Sequence, residues 1–182
     1  MIGKWEKVKQ IETISCGGRF EVQHDEVTLP SGERGEYWTI QKSPYVVILA
    51  INHRGEICLA RQHRYPLDEF TIEFPKGNID SGETPLEAAQ RELEEEAGLI
   101  SNDWLNLDII QESIGIKNCT GHLFLAREVH PYRFARRDPA DKNMIETYFS
   151  TADAIRTGIC SGIIVDASTI ALFARAHFLN ML

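Results

Sequence analysis

Residues 77–99 read GNIDSGETPLEAAQRELEEEAGL, and this stretch determines most of what the chain can be. Pro85 suits the first turn of a helix, where its missing N–H costs nothing, and Gly98 is a natural left-handed cap. The spacing therefore predicts a helix from Pro85 to about Ala97, preceded by a polar loop over residues 76–82. Its apolar residues fall on one narrow stripe that can pack on a sheet: Leu86, Ala89, Leu93 and Ala97.

Three carboxylates of this helix are spaced i, i+3 and i+4, so Glu92, Glu95 and Glu96 share one face. Ionised carboxylates at such short separations repel one another, and each raises the pKa of the others. Magnesium or manganese, which prefer oxygen ligands, remove that penalty. Arg91 lies four residues before Glu95 and is predicted to pair with it. The alternative for an isolated acidic run is a solvated helix face.

Apolar patterning predicts strands on both sides of this helix. The run over residues 45–51 is continuous, as in a strand buried on both faces, and a turn at residues 52–55 leads to its expected hairpin partner. A second helix is expected over residues 166–179. The result is an α/β fold with a mixed sheet. The strands are predicted at residues 20–29, 37–41, 45–51, 56–62, 70–74, 105–111, 121–126 and 145–149.

Composition excludes several classes of protein. The net charge of −8 leaves no broad basic surface for a nucleic-acid backbone, and it would repel a small anion unless metal cations or local arginines reverse the field. The four cysteines form no CxxC pair, so a zinc cluster or disulfide scaffold is not expected. The charged amino terminus is unlike a secretory signal, and the longest apolar run is too short to cross a bilayer. We expect a cytoplasmic protein without a membrane or nucleic-acid partner.

The stretch over residues 77–99 resembles the Nudix box, written G-x5-E-x7-R-E-apolar-x-E-E-x-G-apolar. Every fixed position is met without a gap. The matching residues are Gly77, Glu83, Arg91, Glu92, Leu93, Glu95, Glu96, Gly98 and Leu99. The chain is therefore identified as a member of the Nudix hydrolases. The resemblance implies an α/β/α sandwich that hydrolyses a pyrophosphate bond.

In that family the box binds magnesium ions, for which manganese can substitute. By position, Glu92 and Glu96 are implied as metal ligands, Glu95 as a ligand or a water-orienting group, and the Lys76 backbone carbonyl completes the shell. The resemblance implies a bracing role for Glu83 and Arg91. The implied catalytic residues are Glu92, Glu95, Glu96 and Arg91, and the implied structural ones are Gly77, Glu83, Leu93 and Gly98.

Residues 61–65, 72–77 and 162–169 are similar to the branch that contains the ADP-ribose pyrophosphatases and nucleoside-diphosphate-sugar hydrolases. This resemblance implies a homodimer that shares its amino-terminal strands. We accordingly divide the chain into an antiparallel amino-terminal subdomain, residues 1–42, that serves dimerisation, and a Nudix domain, residues 43–182.

Three residues are candidates for contact with the substrate. Arg64 matches a ligand-binding arginine of the branch, and a guanidinium suits bidentate phosphate recognition; the alternative is a surface cation. Glu73 is a candidate for a metal or a ribose hydroxyl, or else a plain strand carboxylate. Trp38 lies where the branch stacks tryptophan on adenine, with core packing or a dimer contact as the alternative. Cys119 is expected to be a buried packing residue.

The chain departs from the branch at two places. Ile114 stands where the branch has proline, sixteen residues beyond Gly98. A loop glutamate that often serves as general base is replaced within residues 138–146. The candidates for this base are Asp138, Asp141, Glu112 and a glutamate of the box.

The function implied is hydrolysis of ADP-ribose, or a related nucleoside diphosphate sugar, to a nucleoside monophosphate and a sugar phosphate. A relative acting on GDP-mannose, another nucleotide sugar or a dinucleotide is the nearest enzymatic alternative. A non-catalytic module that senses such a ligand is the alternative from another class, although a sensor has no reason to keep three metal-facing carboxylates.

Overall fold

The computed structural model describes residues 2–133 and 145–182. Two candidate general bases, Asp138 and Asp141, lie outside the described residues. The strands are β1 Glu6–Cys16, β2 Phe20–Thr28, β3 Arg34–Lys42, β4 Tyr45–Ala50, β5 Ile57–Arg64, β6 Glu69–Glu73, β7 Lys76–Asn78, β8 Leu99–Ile100, β9 Asp103–Gln111, β10 Lys117–Asn118, β11 Thr120–Arg127, β12 His130–Pro131 and β13 Ile145–Ser150. The helices are α1 Pro85–Glu92, which continues as a π turn over Leu93–Ala97, α2 Ala152–Cys160 and α3 Ala167–Phe178.

The chain forms two compact units. The amino-terminal unit consists of Met1–Ser43 with Gln111–Thr120, and the second unit of Pro44–Ile110 with Gly121–Leu182. In the first, β1, β2 and β3 form an antiparallel meander, and β10 joins β3 in parallel. The Tyr37 hydroxyl donates a hydrogen bond to the Gly115 carbonyl, 2.5 Å away. This bond holds the segment Gln111–Thr120 against β3.

The second unit contains a mixed sheet in the order β7-β4-β11-β9 and an antiparallel sheet in the order β13-β5-β6. β4 runs parallel to β11 and antiparallel to β7. The expected hairpin between β4 and β5 is wrong, because both hydrogen-bonding edges of β4 are taken by β7 and β11. The two strands share a single bridge at Ile51 and Ile57, after which β5 joins β6 and β13.

The core of the second unit lies on both faces of β4, as its continuous apolar sequence predicts. Ile48 and its neighbours on one face join a buried cluster with Ala89 and Leu93 of the helical segment. Val47 and Leu49 are also fully buried and project from the opposite face. Both α1 and α3 pack on β4. The predicted α/β/α fold is confirmed.

The helical segment from Pro85 to Ala97 and the one ending near Leu179 agree with expectation, but other details differ. Leu86 is 39% exposed, and Ala88 is buried instead. β1 and α2 were not predicted, and part of the expected irregular loop forms β7. Among residues 2–133 and 145–182, each helix is too short or too polar to cross a bilayer.

Candidate active site

The helix that carries the three carboxylates is fixed at both ends by its own sequence. Thr84 is the N-cap, its hydroxyl accepts from the Glu87 N–H, and the Glu87 carboxylate accepts from the Thr84 N–H at 2.8 Å. This reciprocal capping box satisfies two N–H groups that a helix otherwise leaves unpaired. Gly98 ends the helix with φ +66°, a left-handed conformation that costs glycine little.

The last turn of this helix, Leu93–Ala97, is a π turn. The Gly98 N–H donates to the carbonyls of Leu93 and Glu94. Such turns insert one extra residue into a helix and occur frequently at functional sites. Here the π turn contains Glu95 and Glu96, two of the three carboxylates predicted to share one face.

Arg91 is the centre of the acidic cluster. Its Nε and Nη2 atoms bind the two carboxylate oxygens of Glu83 at 2.7 and 2.9 Å, and Nη2 also donates to the Asn78 carbonyl at 2.9 Å. Its Nη1 atom binds Glu92 at 2.7 Å and Glu95 at 3.0 Å. The predicted Arg91–Glu95 pair is confirmed, and the same guanidinium connects the loop before the helix to the helix itself.

Glu92 is more enclosed than Glu95, with 13% of its side chain exposed against 35%. Burial raises the pKa of Glu92, and the nearby charges of Glu95 and Asp80 act in the same direction, against the opposing effect of Arg91. Gly77 lies directly against this carboxylate: a Cβ atom at position 77 would overlap the carboxyl carbon and both oxygens of Glu92. Glycine is needed here for close approach.

The Glu96 carboxylate accepts a hydrogen bond of 3.1 Å from the Lys76 backbone N–H. Within residues 2–133 and 145–182, no three histidine, cysteine, aspartate or glutamate side chains are already assembled as a metal site. Arg91 engages Glu92 and Glu95, while the Lys76 amide engages Glu96. These bonds engage Oε1 of Glu92, Oε2 of Glu95 and Oε2 of Glu96.

Glu73 and Arg64, both candidates for substrate contact, bind each other. The Arg64 Nε and Nη2 atoms donate to the two oxygens of Glu73 at 2.8 and 2.5 Å. Only 2% of the Glu73 side chain is exposed, and it also accepts from Thr71 and from the Lys76 ammonium, 2.8 Å away. Burial acts to raise the pKa of Glu73, but its cationic partners outweigh burial and lower it. Glu73 is thus a buried carboxylate with both oxygens engaged in hydrogen bonds.

The Lys76 ammonium continues this network to α3. Its Nζ atom lies 2.7 Å from Asp166, the N-cap residue of α3. Asp166 also accepts from Ser168 and Thr169. Burial acts to raise the pKa of Asp166, but Lys76 and the two hydroxyls hold it at about 2. The Thr169 hydroxyl accepts from the Phe74 N–H at 2.9 Å, so α3 binds the segment before the box twice.

A family model described as NUDIX domain matches residues 41–158. The chain belongs to the Nudix family. The predicted family is therefore confirmed, and the protein is a Nudix pyrophosphohydrolase; enzymes of this family generally use divalent metal ions.

Curated relatives agree with this placement. An ADP-ribose pyrophosphatase of Bacillus subtilis (strain 168) is 32% identical over 124 residues, which are 68% of this chain and 67% of that protein. An ADP-ribose pyrophosphatase of Mycobacterium tuberculosis is 27% identical over 167 residues, 91% of this chain and 80% of that protein. A crystal structure described as an ADP compounds hydrolase superimposes with a TM-score of 0.80 at 19% identity and covers 97% of this chain and 98% of its own. That likeness shows the fold.

Three of the residues singled out from the sequence lie in the amino-terminal unit: Trp38, Glu112 and Cys119. Trp38 is 45% exposed and stacks on the His24 ring, with centroids 3.9 Å apart. Glu112, a candidate general base, forms an ion pair of 2.6 Å with Lys117. Cys119 is buried as expected, and burial raises the pKa of its thiol.

Sequence reasoning missed the Lys76 side chain and Asp166. The family resemblance implies a role for the Lys76 backbone carbonyl alone, and it includes Asp166 only as part of the terminal stretch over residues 162–169. A signal was present, since Asp166 followed by Ser168 and Thr169 has the composition of a helix N-cap. Its pairing with a lysine 90 residues away needed the fold.

Proposed function

We propose that the protein is a magnesium-dependent pyrophosphatase that hydrolyses ADP-ribose, or a related nucleoside diphosphate sugar, to a nucleoside monophosphate and a sugar phosphate. The observation that carries the proposal is the continuity of the polar network. The box carboxylate Glu96 is bonded to the backbone of Lys76, and the side chain of Lys76 leads through Glu73 to Arg64. This network holds the Arg64 guanidinium, which we assign to the substrate phosphates, in place relative to the acidic cluster.

The acidic cluster has the donor set for a divalent cation. Glu92, Glu95 and Glu96, with the Lys76 backbone carbonyl, would hold it, since magnesium and manganese prefer oxygen ligands. Two observations support this assignment. Burial disfavours the charged form of Glu92, a penalty that a bound cation would remove. The missing side chain of Gly77 leaves room for the Glu92 carboxylate. When bound, the cation supplies charge neutralisation for the phosphates and a more acidic water.

Within residues 2–133 and 145–182, one edge of the Arg64 guanidinium makes no hydrogen bond, and we assign that edge to a phosphate. A guanidinium has two edges that can bind an oxyanion with two parallel hydrogen bonds, and Glu73 occupies the one formed by Nε and Nη2. The remaining edge, Nη1 with the second hydrogen of Nη2, has the geometry for two phosphate oxygens. Since 37% of the Arg64 side chain is exposed, a ligand can reach it. We assign this edge to the substrate diphosphate.

The choice of a diphosphate sugar over a triphosphate has separate support. The relatives from Bacillus subtilis and Mycobacterium tuberculosis bear the name ADP-ribose pyrophosphatase, and the resemblance to that branch includes Arg64 and the segment before the box. Trp38 stays a prediction for the base, and GDP-mannose, other nucleotide sugars and dinucleotides stay alternatives for the substrate.

A substrate panel tests the proposal. ADP-ribose, ADP-glucose, GDP-mannose, a dinucleotide and ATP are incubated with enzyme and magnesium, and a coupled phosphatase releases phosphate from the monoester products. We expect ADP-ribose or another diphosphate sugar to give the highest kcat/KM. Faster cleavage of ATP than of every diphosphate derivative would remove the substrate assignment and leave the Nudix assignment intact.

We also propose that the amino-terminal unit mediates a homodimer and that the enzyme is cytoplasmic. β1 is an edge strand, and its exposed apolar side chains are those expected at a strand interface: Val8, Ile11 and Ile14, each more than 40% exposed. A long exposed edge with apolar side chains readily pairs with another chain. Light scattering after size exclusion tests this point, with a mass near 41 kDa expected for two chains of 20.7 kDa.

A further inference from the structure

Asp166 is held more firmly than its role as a helix cap requires. Its carboxylate accepts from the Thr169 N–H at 2.8 Å, the Thr169 hydroxyl at 2.7 Å and the Ser168 hydroxyl at 2.6 Å. A cap needs the first of these bonds alone. The fourth partner is the Lys76 ammonium at 2.7 Å. The carboxylate is thus a rigid anchor, and what it anchors is Lys76.

The charges that follow from this anchor alternate in sign. Lys76 Nζ is shared between Asp166 and Glu73, and Glu73 Oε2 is shared between Lys76 and Arg64. The four charges of the row sum to zero. With Asp166 neutral, Lys76 would direct its whole charge to Glu73 and compete with Arg64 for the shared oxygen.

We propose that Asp166 is a positioning residue for Arg64, acting through Lys76 and Glu73. Because the Lys76 ammonium is attracted to Asp166 as well as to Glu73, it competes less strongly with Arg64 for the Glu73 carboxylate. Glu73 can therefore hold the Arg64 guanidinium in one orientation. A pre-oriented arginine loses less side-chain freedom when it binds a phosphate, which improves affinity. The proposal rests on the proposed function, because it takes the Nη1–Nη2 edge of Arg64 as the diphosphate site.

A double-mutant cycle tests this proposal. KM and kcat for ADP-ribose, or for the best diphosphate of the panel, are measured in wild type, Asp166→Asn, Arg64→Ala and the double variant. Asparagine keeps the N-cap oxygen and removes the charge. Asp153→Asn is the matched control, since Asp153 lies in the first turn of α2 and pairs with Arg156 on the surface. Calorimetry with the α,β-methylene analogue of the substrate measures the same cycle as binding.

Asp166→Asn should raise KM, and the analogue Kd, on the order of two- to tenfold, with kcat within about twofold. In the Arg64→Ala background the same substitution should change neither constant, and Asp153→Asn should match wild type throughout. Equal effects of Asp166→Asn in both backgrounds, or a loss of stability without a change in KM, would show that Asp166 only caps α3.

Failure of the proposed function gives a different pattern. Wild type that turns over no diphosphate overturns both proposals. Turnover that Arg64→Ala leaves unchanged overturns the Arg64 site, and the positioning role with it. Turnover that depends on Arg64 but is insensitive to Asp166→Asn overturns the positioning role alone.

Discussion

Replacing Gly77 by alanine separates the stability of the fold from the geometry of the acidic cluster. The added Cβ would overlap the Glu92 carboxyl, while the backbone of Gly77 does not have a positive φ that alanine would resist. The overlapping atoms are the far end of a side chain, so the cheapest response is displacement of that carboxylate. Displacement breaks the 2.7 Å bond to Arg91 and leaves the core unchanged.

The two consequences differ in size. Overpacking a close contact costs about 1–3 kcal/mol, and a movable side chain places this variant near 1 kcal/mol. Moving a catalytic ligand by about 1 Å lowers the rate on the order of a hundredfold. We therefore expect a small loss in urea-induced unfolding together with a large loss of kcat in the magnesium-dependent assay.

Gly115→Ala is the matched control, because a Cβ there meets no atom within 4 Å and φ is not positive. It should leave activity unchanged. In the Gly77→Ala background, Glu92→Asp shortens the colliding side chain and should restore stability without restoring the rate. Full activity of Gly77→Ala, or an activity loss explained by unfolding, would refute the close-approach argument.

Three further predictions follow from the same site. Arg64→Ala should mainly raise KM in steady-state kinetics, and a loss confined to kcat would contradict this. Arg64→Lys should restore the KM only in part, because an ammonium cannot bind two phosphate oxygens as a guanidinium does. Millimolar magnesium should raise the melting temperature by mass action, and an indifferent melting curve would count against a formed metal site. Asp166 has a pKa of about 2 against an ordinary 3.8, so its charge stabilises the fold above pH 4 by about 2 kcal/mol, and this is lost as the pH falls towards 2. Urea titrations at pH 7 and pH 2 should therefore show Asp166→Asn less stable than wild type only at pH 7.

Local sequence signals predicted the helical segment and its ends well. Pro85, Gly98 and the spacing of the glutamates are contained within a single segment, so no distant contact was needed to place them. The apolar run over residues 45–51 was likewise sufficient to predict a strand buried on both faces. These features depend on periodicity and capping, which a sequence shows directly.

Long-range pairing was beyond the sequence. The partners of β4 depend on which strands occupy its two edges, and proximity along the chain favoured β5 incorrectly. β1 escaped prediction because its side chains are nearly all exposed and it lacks a buried face to give a clear alternation. The Lys76–Asp166 pair joins residues on separate elements, and neither residue has a local feature that identifies its partner.

The most direct test of the account is magnesium-dependent hydrolysis of ADP-ribose by wild type and by Glu96→Gln. Both proteins are stripped with chelator, and activity is measured as magnesium is added back, with circular dichroism recorded to show that the variant is folded. We predict no wild-type activity with chelator, full recovery at millimolar magnesium, and a rate for Glu96→Gln lower on the order of a hundredfold. Wild-type activity in excess chelator, or full activity of folded Glu96→Gln, would contradict the assignment of this helix as the metal-binding catalytic element.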